Sequence, residues 1–197
     1  MKRRRERRCS ATPPARRRRA RCGRAAGIRP GRSGWISAGD TMSQVCYFAY
    51  GSNMSAARLS ERLSRFGEAL IERWPGIVDG YRLTFNKVSS RQDWVGFANI
   101  EAAADCRVEG TLNAMSARAL DALDSIELVP LHYRRAGVLV RDGATGRLTF
   151  AVTYVANPAM VRPNLRPTRD YLDHLLAAAD VLPRAYLDHV RAVECWT

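Results

Sequence analysis

The sequence predicts an α+β fold, built on a small, mixed, strongly curved β-sheet or barrel with flanking helices. Three observations predict it. Strand-like runs of alternating apolar and polar residues fill the middle of the chain. Amphipathic helical runs lie near both ends and once inside it. The length of 197 residues, 46% of them hydrophobic, suffices for one domain with a core and is too short for two large ones.

Taken in order, residues 45–50 are rich in β-formers and stop at Gly51-Ser52-Asn53, after which 54–66 read as a helix with Leu59, Leu63 and Phe66 on one side. Strand, tight turn and helix follow one another, and Ser52 or Asn53 is placed to cap the helix. The first-turn amides and the helix dipole then favour an anion above the strand's end. Residues 77–88 alternate around Tyr81, Leu83 and Phe85, and further strands are expected at 96–100 and 107–115, joined by polar turns. Ser116 reads as an N-cap, with Met115 before it and Leu120 four residues after it in the pattern of a hydrophobic staple, so a short helix should run through Leu123 or Ile126. Residues 133–141 and 148–156 flank Asp142-Gly143-Ala144-Thr145-Gly146 and read as a hairpin. Residues 168–179 and 184–193, separated by Leu182-Pro183, read as two amphipathic helices. The tetrapeptide YLDH occurs at Tyr171 and again at Tyr186, which reads as chance helical patterning because nothing else in the two segments repeats.

The net charge of +13 and pI near 10.4 raise a nucleic-acid reading. The charge is confined to one end: residues 1–41 hold 14 Lys and Arg against Glu6 and Asp40, leaving 18 bases and 17 acids for the rest. A phosphate-tracking groove is therefore not expected in the neutral part. The tail, with KRRRERR, a Pro-Pro pair and RRRRAR, cannot bury enough apolar surface to offset chain entropy and is expected to be disordered. Three readings compete for it: translated sequence upstream of a true start at Met42, a tail for nucleic acid or another acidic partner, and a targeting segment, against which its Pro and Gly content argues. Residues 42–197 are then the folded domain.

Cys9, Cys22, Cys46, Cys106 and Cys195 form no CxxC pair, and His132, His174 and His189 are scattered, so reduced thiols and no metal site are expected. No apolar run reaches about 18 residues and no secretory signal core follows the basic start, so no membrane association is expected and a cytoplasmic location is. Neither terminal helix shows a sustained heptad, and a homodimer stays among the outcomes.

The residues that could carry chemistry are few. If the Ser116 helix continues one turn further, Leu120, Leu123 and Glu127 share a face, and Ile126, Leu128 and Val129 would surround the carboxylate with apolar groups and raise its pKa toward acid/base use. If it ends near Asp124, Glu127 is a solvated turn residue. The Gly-Ser-Asn turn is either a binding loop or an ordinary helix start, and Tyr47, Phe48, Tyr50, Tyr133 and Tyr154 are pocket or core. No GxSxG, HExxH or phosphate-loop pattern is present.

Read together, these pieces resemble one family. Tyr47-Phe48-Ala49-Tyr50-Gly51-Ser52-Asn53-Met54 resembles the YGSN signature of the γ-glutamylcyclotransferases, and Leu123-Asp124-Ser125-Ile126-Glu127 resembles their LDxxE segment. Residues 80–85 and 108–112, Tyr133 and Tyr154 appear in the family's order, so the resemblance spans roughly 45–193. One departure is local: many relatives have Gly directly after the Glu, where this chain has Leu128. The resemblance implies the family's fold and an enzyme, without cofactor, that converts an L-γ-glutamyl amide to 5-oxoproline plus a free amine. It assigns Glu127 as general acid/base and Tyr47, Phe48, Ala49, Tyr50, Gly51, Ser52, Asn53, Tyr133 and Tyr154 to substrate binding. Two alternatives stand beside it, a non-catalytic member of the fold that binds a small molecule or protein, and a nucleic-acid-associated factor working through its Arg-rich tail.

Overall fold

The computed structural model describes residues 44–196, and the basic tail with Met42 lies outside the described residues. Five strands close into a barrel: β1 (Gln44–Ala49), β2 (Leu70–Val88), β3 (Gly96–Ser116), β4 (Tyr133–Asp142) and β5 (Leu148–Ala156). Around the barrel the order is β1-β3-β2-β4-β5, antiparallel throughout except where β1 meets β5 in parallel at Tyr47↔Val152. Helices α1 (Ala56–Ser64), α2 (Ala117–Ile126), α3 (Arg169–Leu176) and α4 (Arg184–Arg191) flank it. The expected mixed, strongly curved sheet is this barrel.

Alternation along β1 divides the core. Phe48 and Tyr50 point into the barrel, where they meet Val78, Ile100, Val108, Leu112, Val138 and Val140. Tyr47 and Ala49 face the other way, into a layer shared with Leu59 and Leu63 of α1, Leu120 and Leu123 of α2, and Leu172 and Leu175 of α3. The mouth of the barrel therefore lies where β1 runs out under the helices.

Two strand expectations are corrected. The segments 96–100 and 107–115 form one strand, because the hairpin ribbon of β2 and β3 continues through the polar stretch between them. The register passes from Asp79↔Arg107 to Tyr81↔Ala102, so residues 103–106 bulge opposite Gly80, whose φ of +80° suits glycine and bends the ribbon. Its residues are small or polar and none is fully buried, so hydropathy does not mark it as strand. Likewise β2 begins at Leu70, ahead of the expected 77, and runs through Pro75, which pairs with Thr111 and accepts a 2.8 Å bond from the Gly143 amide.

Other local readings hold. Ser116 caps α2, accepting from the Ala119 amide at 2.9 Å, and its staple residues Met115 and Leu120 are both buried. The 142–146 loop closes the β4–β5 hairpin, with Asp142 accepting from the Ala144 and Thr145 amides. Among the described cysteines, Cys46 and Cys195 are free, whereas Cys106 is disulfide-bonded, against the reading of all five as reduced. Sequence spacing carries no information on such a bond, which depends on the distance between Cα atoms in the fold.

Candidate active site

The turn after β1 differs from the expected helix start. Ser52–Met54 form a buried 3-10 turn, closed by the Met54 amide donating to the Gly51 carbonyl at 2.9 Å. The cap of α1 is Ser55, which accepts from the Arg58 amide at 3.3 Å, so Ser52 and Asn53 are not spent on capping. Their side chains are free to turn toward the barrel mouth.

That mouth holds a small cavity lined by Tyr47, Tyr50, Gly51, Ser52, Asn53, Ala98, Glu127, Tyr133, Tyr154 and Tyr171. Six elements and one turn converge on it. Of the residues assigned from the sequence, Phe48 and Ala49 are absent. Phe48 is fully buried in the barrel interior and Ala49 lies in the helix-side core, so both support the turn by packing.

Glu127 sits between its two sequence readings. Helix α2 runs to Ile126 and Glu127 is its C-cap, bonded through its amide to the Leu123 carbonyl at 2.8 Å, with the side chain 17% exposed and turned into the cavity. The expected apolar shell is corrected. Leu128 is 46% exposed, and the carboxylate instead meets polar groups: Oε1 accepts from Asn53 Nδ2 at 3.0 Å and from an Arg62 guanidinium nitrogen at 3.1 Å. Asn53 joins the set together, since its Nδ2 also lies 3.0 Å from the Tyr47 hydroxyl and its Oδ1 accepts from Arg62 at 2.6 Å. The chain reverses after Glu127 because Leu128 adopts φ +55° and the Val129 amide bonds back to the Asp124 carbonyl at 2.9 Å, the geometry of a Schellman cap with Leu in the left-handed position.

The tyrosines divide by what their hydroxyls do. Tyr50 donates to the Tyr154 carbonyl, and Tyr133 donates to the Ala98 carbonyl at 2.9 Å. The Tyr154 hydroxyl lies 2.8 Å from Asp124 Oδ1 and 3.1 Å from the Leu120 carbonyl. Tyr133 and Tyr154 are thus walls, with their polar ends engaged by the scaffold. Burial raises every one of these phenols: Tyr171 is pushed up to about 12, and Tyr47, Tyr50, Tyr133 and Tyr154 also stand above the usual phenol range. They stay neutral near pH 7, and Glu127 is the one carboxyl group among the lining residues.

Three neighbours escaped the sequence reading. Tyr171, in the first turn of α3, accepts from the Ala98 amide at 3.1 Å, and Gly51 leaves room for it, since a Cβ there would stand 3.0 Å from its hydroxyl. Its only sequence signal was the YLDH repeat, whose second copy, Tyr186, packs in the helix-side core. Arg62 and Arg58, one turn apart on α1, gave no signal, because charged residues on a helix normally face water. Arg58 reaches His174 Nε2 at 3.1 Å, and burial followed by the two arginines lowers the His174 pKa, so the neutral imidazole accepts.

Residues 107–190 match the AIG2-like family. No curated protein matches the chain in sequence. Among solved structures, a γ-glutamyl cyclotransferase superposes with a TM-score of 0.67 at 22% identity, covering 78% of this chain and 90% of that one. A Homo sapiens protein described as uncharacterized gives 0.67 at 23% identity, over 78% and 91% of the two chains. A yeast γ-glutamyl cyclotransferase specific to glutathione gives 0.53 at 14% identity, over 75% and 94%. The barrel with its flanking helices is the γ-glutamyl cyclotransferase-like fold.

Proposed function

We propose that this chain, with its AIG2-like segment and γ-glutamyl cyclotransferase-like fold, converts an L-γ-glutamyl amide to 5-oxoproline and a free amine. The observation that carries the reading is the hydrogen bond between Asn53 and Glu127, 74 residues apart in sequence and 3.0 Å apart in one cavity. A polar turn and the cavity's one carboxyl group are thereby presented to a single small ligand.

In the proposed reaction the substrate's α-amine attacks its own γ-carbonyl carbon. The new N–C bond closes a five-membered ring, and the amide C–N bond breaks to release the amine. The attacking ammonium must lose a proton and the leaving nitrogen must gain one. Glu127 takes the first and returns the second, since the neutral tyrosines around it are too weakly acidic and far too weakly basic to do both near neutral pH. The tyrosine walls fold the flexible glutamyl chain into an attacking geometry, an effect worth up to roughly 7–11 kcal/mol in well-oriented intramolecular reactions. The turn amides, with the positive charge of Arg58 and Arg62 behind them, suit the substrate's α-carboxylate.

The test is release of 5-oxoproline from a panel of γ-glutamyl dipeptides and γ-glutamylamines. Release from some members and not others supports the reading and identifies the leaving amine. No release from any member refutes it and favours a binding protein of the same fold.

A further inference from the structure

A second titratable pair lies against the back of the Tyr133 wall. Lys87, near the end of β2, is 3% exposed, a burial that lysine rarely has without a carboxylate partner. Among the described residues it makes no ion pair. Its ammonium lies 2.9 Å from His132 Nδ1, 5.3 Å from the centre of the Tyr133 ring and 5.4 Å from that of Phe97. The titratable groups facing it are the neutral His132 ring, from the segment leading into β4, and the Glu127 carboxylate, from the end of α2, which favours its protonated form against burial. The two rings face it from β3 and β4.

Position gives this pair its meaning. Residues 128–132 form the rim that joins Glu127 to Tyr133, and both ends of the rim line the cavity. The rim's backbone is tied by the His132 amide to the Leu128 carbonyl at 2.8 Å and by the Asn157 amide to the His132 carbonyl at 2.9 Å. Among the described residues, its one side-chain tie to the barrel wall that involves a charge is Lys87 to His132. We propose that Lys87 is a positioning residue of the active site, and that its hydrogen bond to unprotonated His132 locks the rim so that Glu127 and Tyr133 hold their places.

The lock has a direction in pH. An ammonium can only donate, so His132 must present Nδ1 as an acceptor and carry its proton on Nε2. Protonating Nδ1 removes the acceptor and sets two cations 2.9 Å apart. Burial and then the Lys87 charge lower the His132 pKa, so the lock is closed near neutral pH and opens as pH falls below the ordinary histidine range. This inference rests on the cyclotransferase reading for its activity readout, but the pair can be observed without it.

The experiment uses the full chain. With a substrate found active in the γ-glutamyl panel, kcat/KM of the wild type should fall about tenfold per pH unit below the His132 midpoint. In His132→Asn, whose side-chain oxygen can accept from Lys87 at every pH, the ratio of acid to neutral kcat/KM should rise. In parallel, NMR titration of the His132 ring should show Nε2–H as the neutral tautomer, and Lys87→Met should raise the His132 midpoint toward the ordinary value. A His132→Asn profile that superimposes on the wild type overturns the proposal, as does a His132 midpoint unchanged in Lys87→Met. If Lys87→Met does not fold, the His132→Asn profile decides. A wild type that releases no 5-oxoproline from any substrate refutes the cyclotransferase reading alone, and the ring titration then still confirms or overturns the pair.

Discussion

Replacing Glu127 by Gln exchanges the cavity's one carboxyl group for an amide of the same size. The structure separates the cost in stability from the cost in activity. The amide oxygen can still accept from Asn53 Nδ2 and from Arg62, the two partners of Oε1 at 3.0 and 3.1 Å, so no buried donor is orphaned. What is lost is the charge in the pair with Arg62, whose side chains are 19% and 17% exposed, and a charge-assisted bond of that kind contributes about 1.5–3 kcal/mol at most, less where water reaches it. The chain should therefore fold, with a thermal midpoint lowered by no more than about 10 °C for this size. Turnover should fall by roughly 10²- to 10⁴-fold, the usual contribution of a positioned acid/base, with substrate affinity changed far less. The assay is 5-oxoproline release at saturating substrate, with circular dichroism and thermal melting on the same preparation. Wild-type turnover in a folded Glu127→Gln variant would refute the assignment of proton transfer to this residue.

Asn53→Ala removes the hub that joins Tyr47, Arg62 and Glu127, and should cost about 1–3 kcal/mol in stability together with activity, read by denaturant unfolding and by turnover. Tyr171→Phe leaves the Ala98 amide without its acceptor and should cost about 1–3 kcal/mol, with KM raised because the wall beside Gly51 loses its hydroxyl. Leu128→Gly relieves a left-handed leucine, with φ of +55°, that is already 46% exposed, so little packing is lost and the melting temperature should rise by the equivalent of about 1 kcal/mol. A lower melting temperature would show that the Leu128 side chain contributes more than its backbone strain costs.

The left-handed turn falls at the one local departure from the pattern of the family that the sequence resembles. Where many members of the family that the sequence resembles have Gly, the backbone here still takes the conformation glycine favours, and Leu128 adopts it under strain. The sequence showed the substitution but not its consequence, because a single residue's φ is set by how the α2 cap and the rim close on each other.

Local chemistry made much of the rest legible. Ser116 with its staple residues and the Asp142–Gly146 hairpin loop are decided within a few residues, and both read correctly from sequence. The polar stretch joining the two halves of β3 did not, because its small or polar residues leave no hydropathy signature of a strand. The β1 turn and Glu127 were visible as motif residues, and their meeting was not: Asn53 touches Glu127 only because the closed barrel brings the end of β1 beneath the end of α2. Sequence by itself thus determined the α+β class and most of the elements, through short-range periodicity and turn chemistry, and its resemblance to a known family pointed to most of the residues that line the cavity. Tertiary structure alone decided that Phe48 and Ala49 support the cavity from behind, that Tyr171 and Arg62 join it, and that Lys87 meets His132 behind its wall. Those relations depend on distances between residues far apart in the chain, and such distances exist only once the barrel has closed.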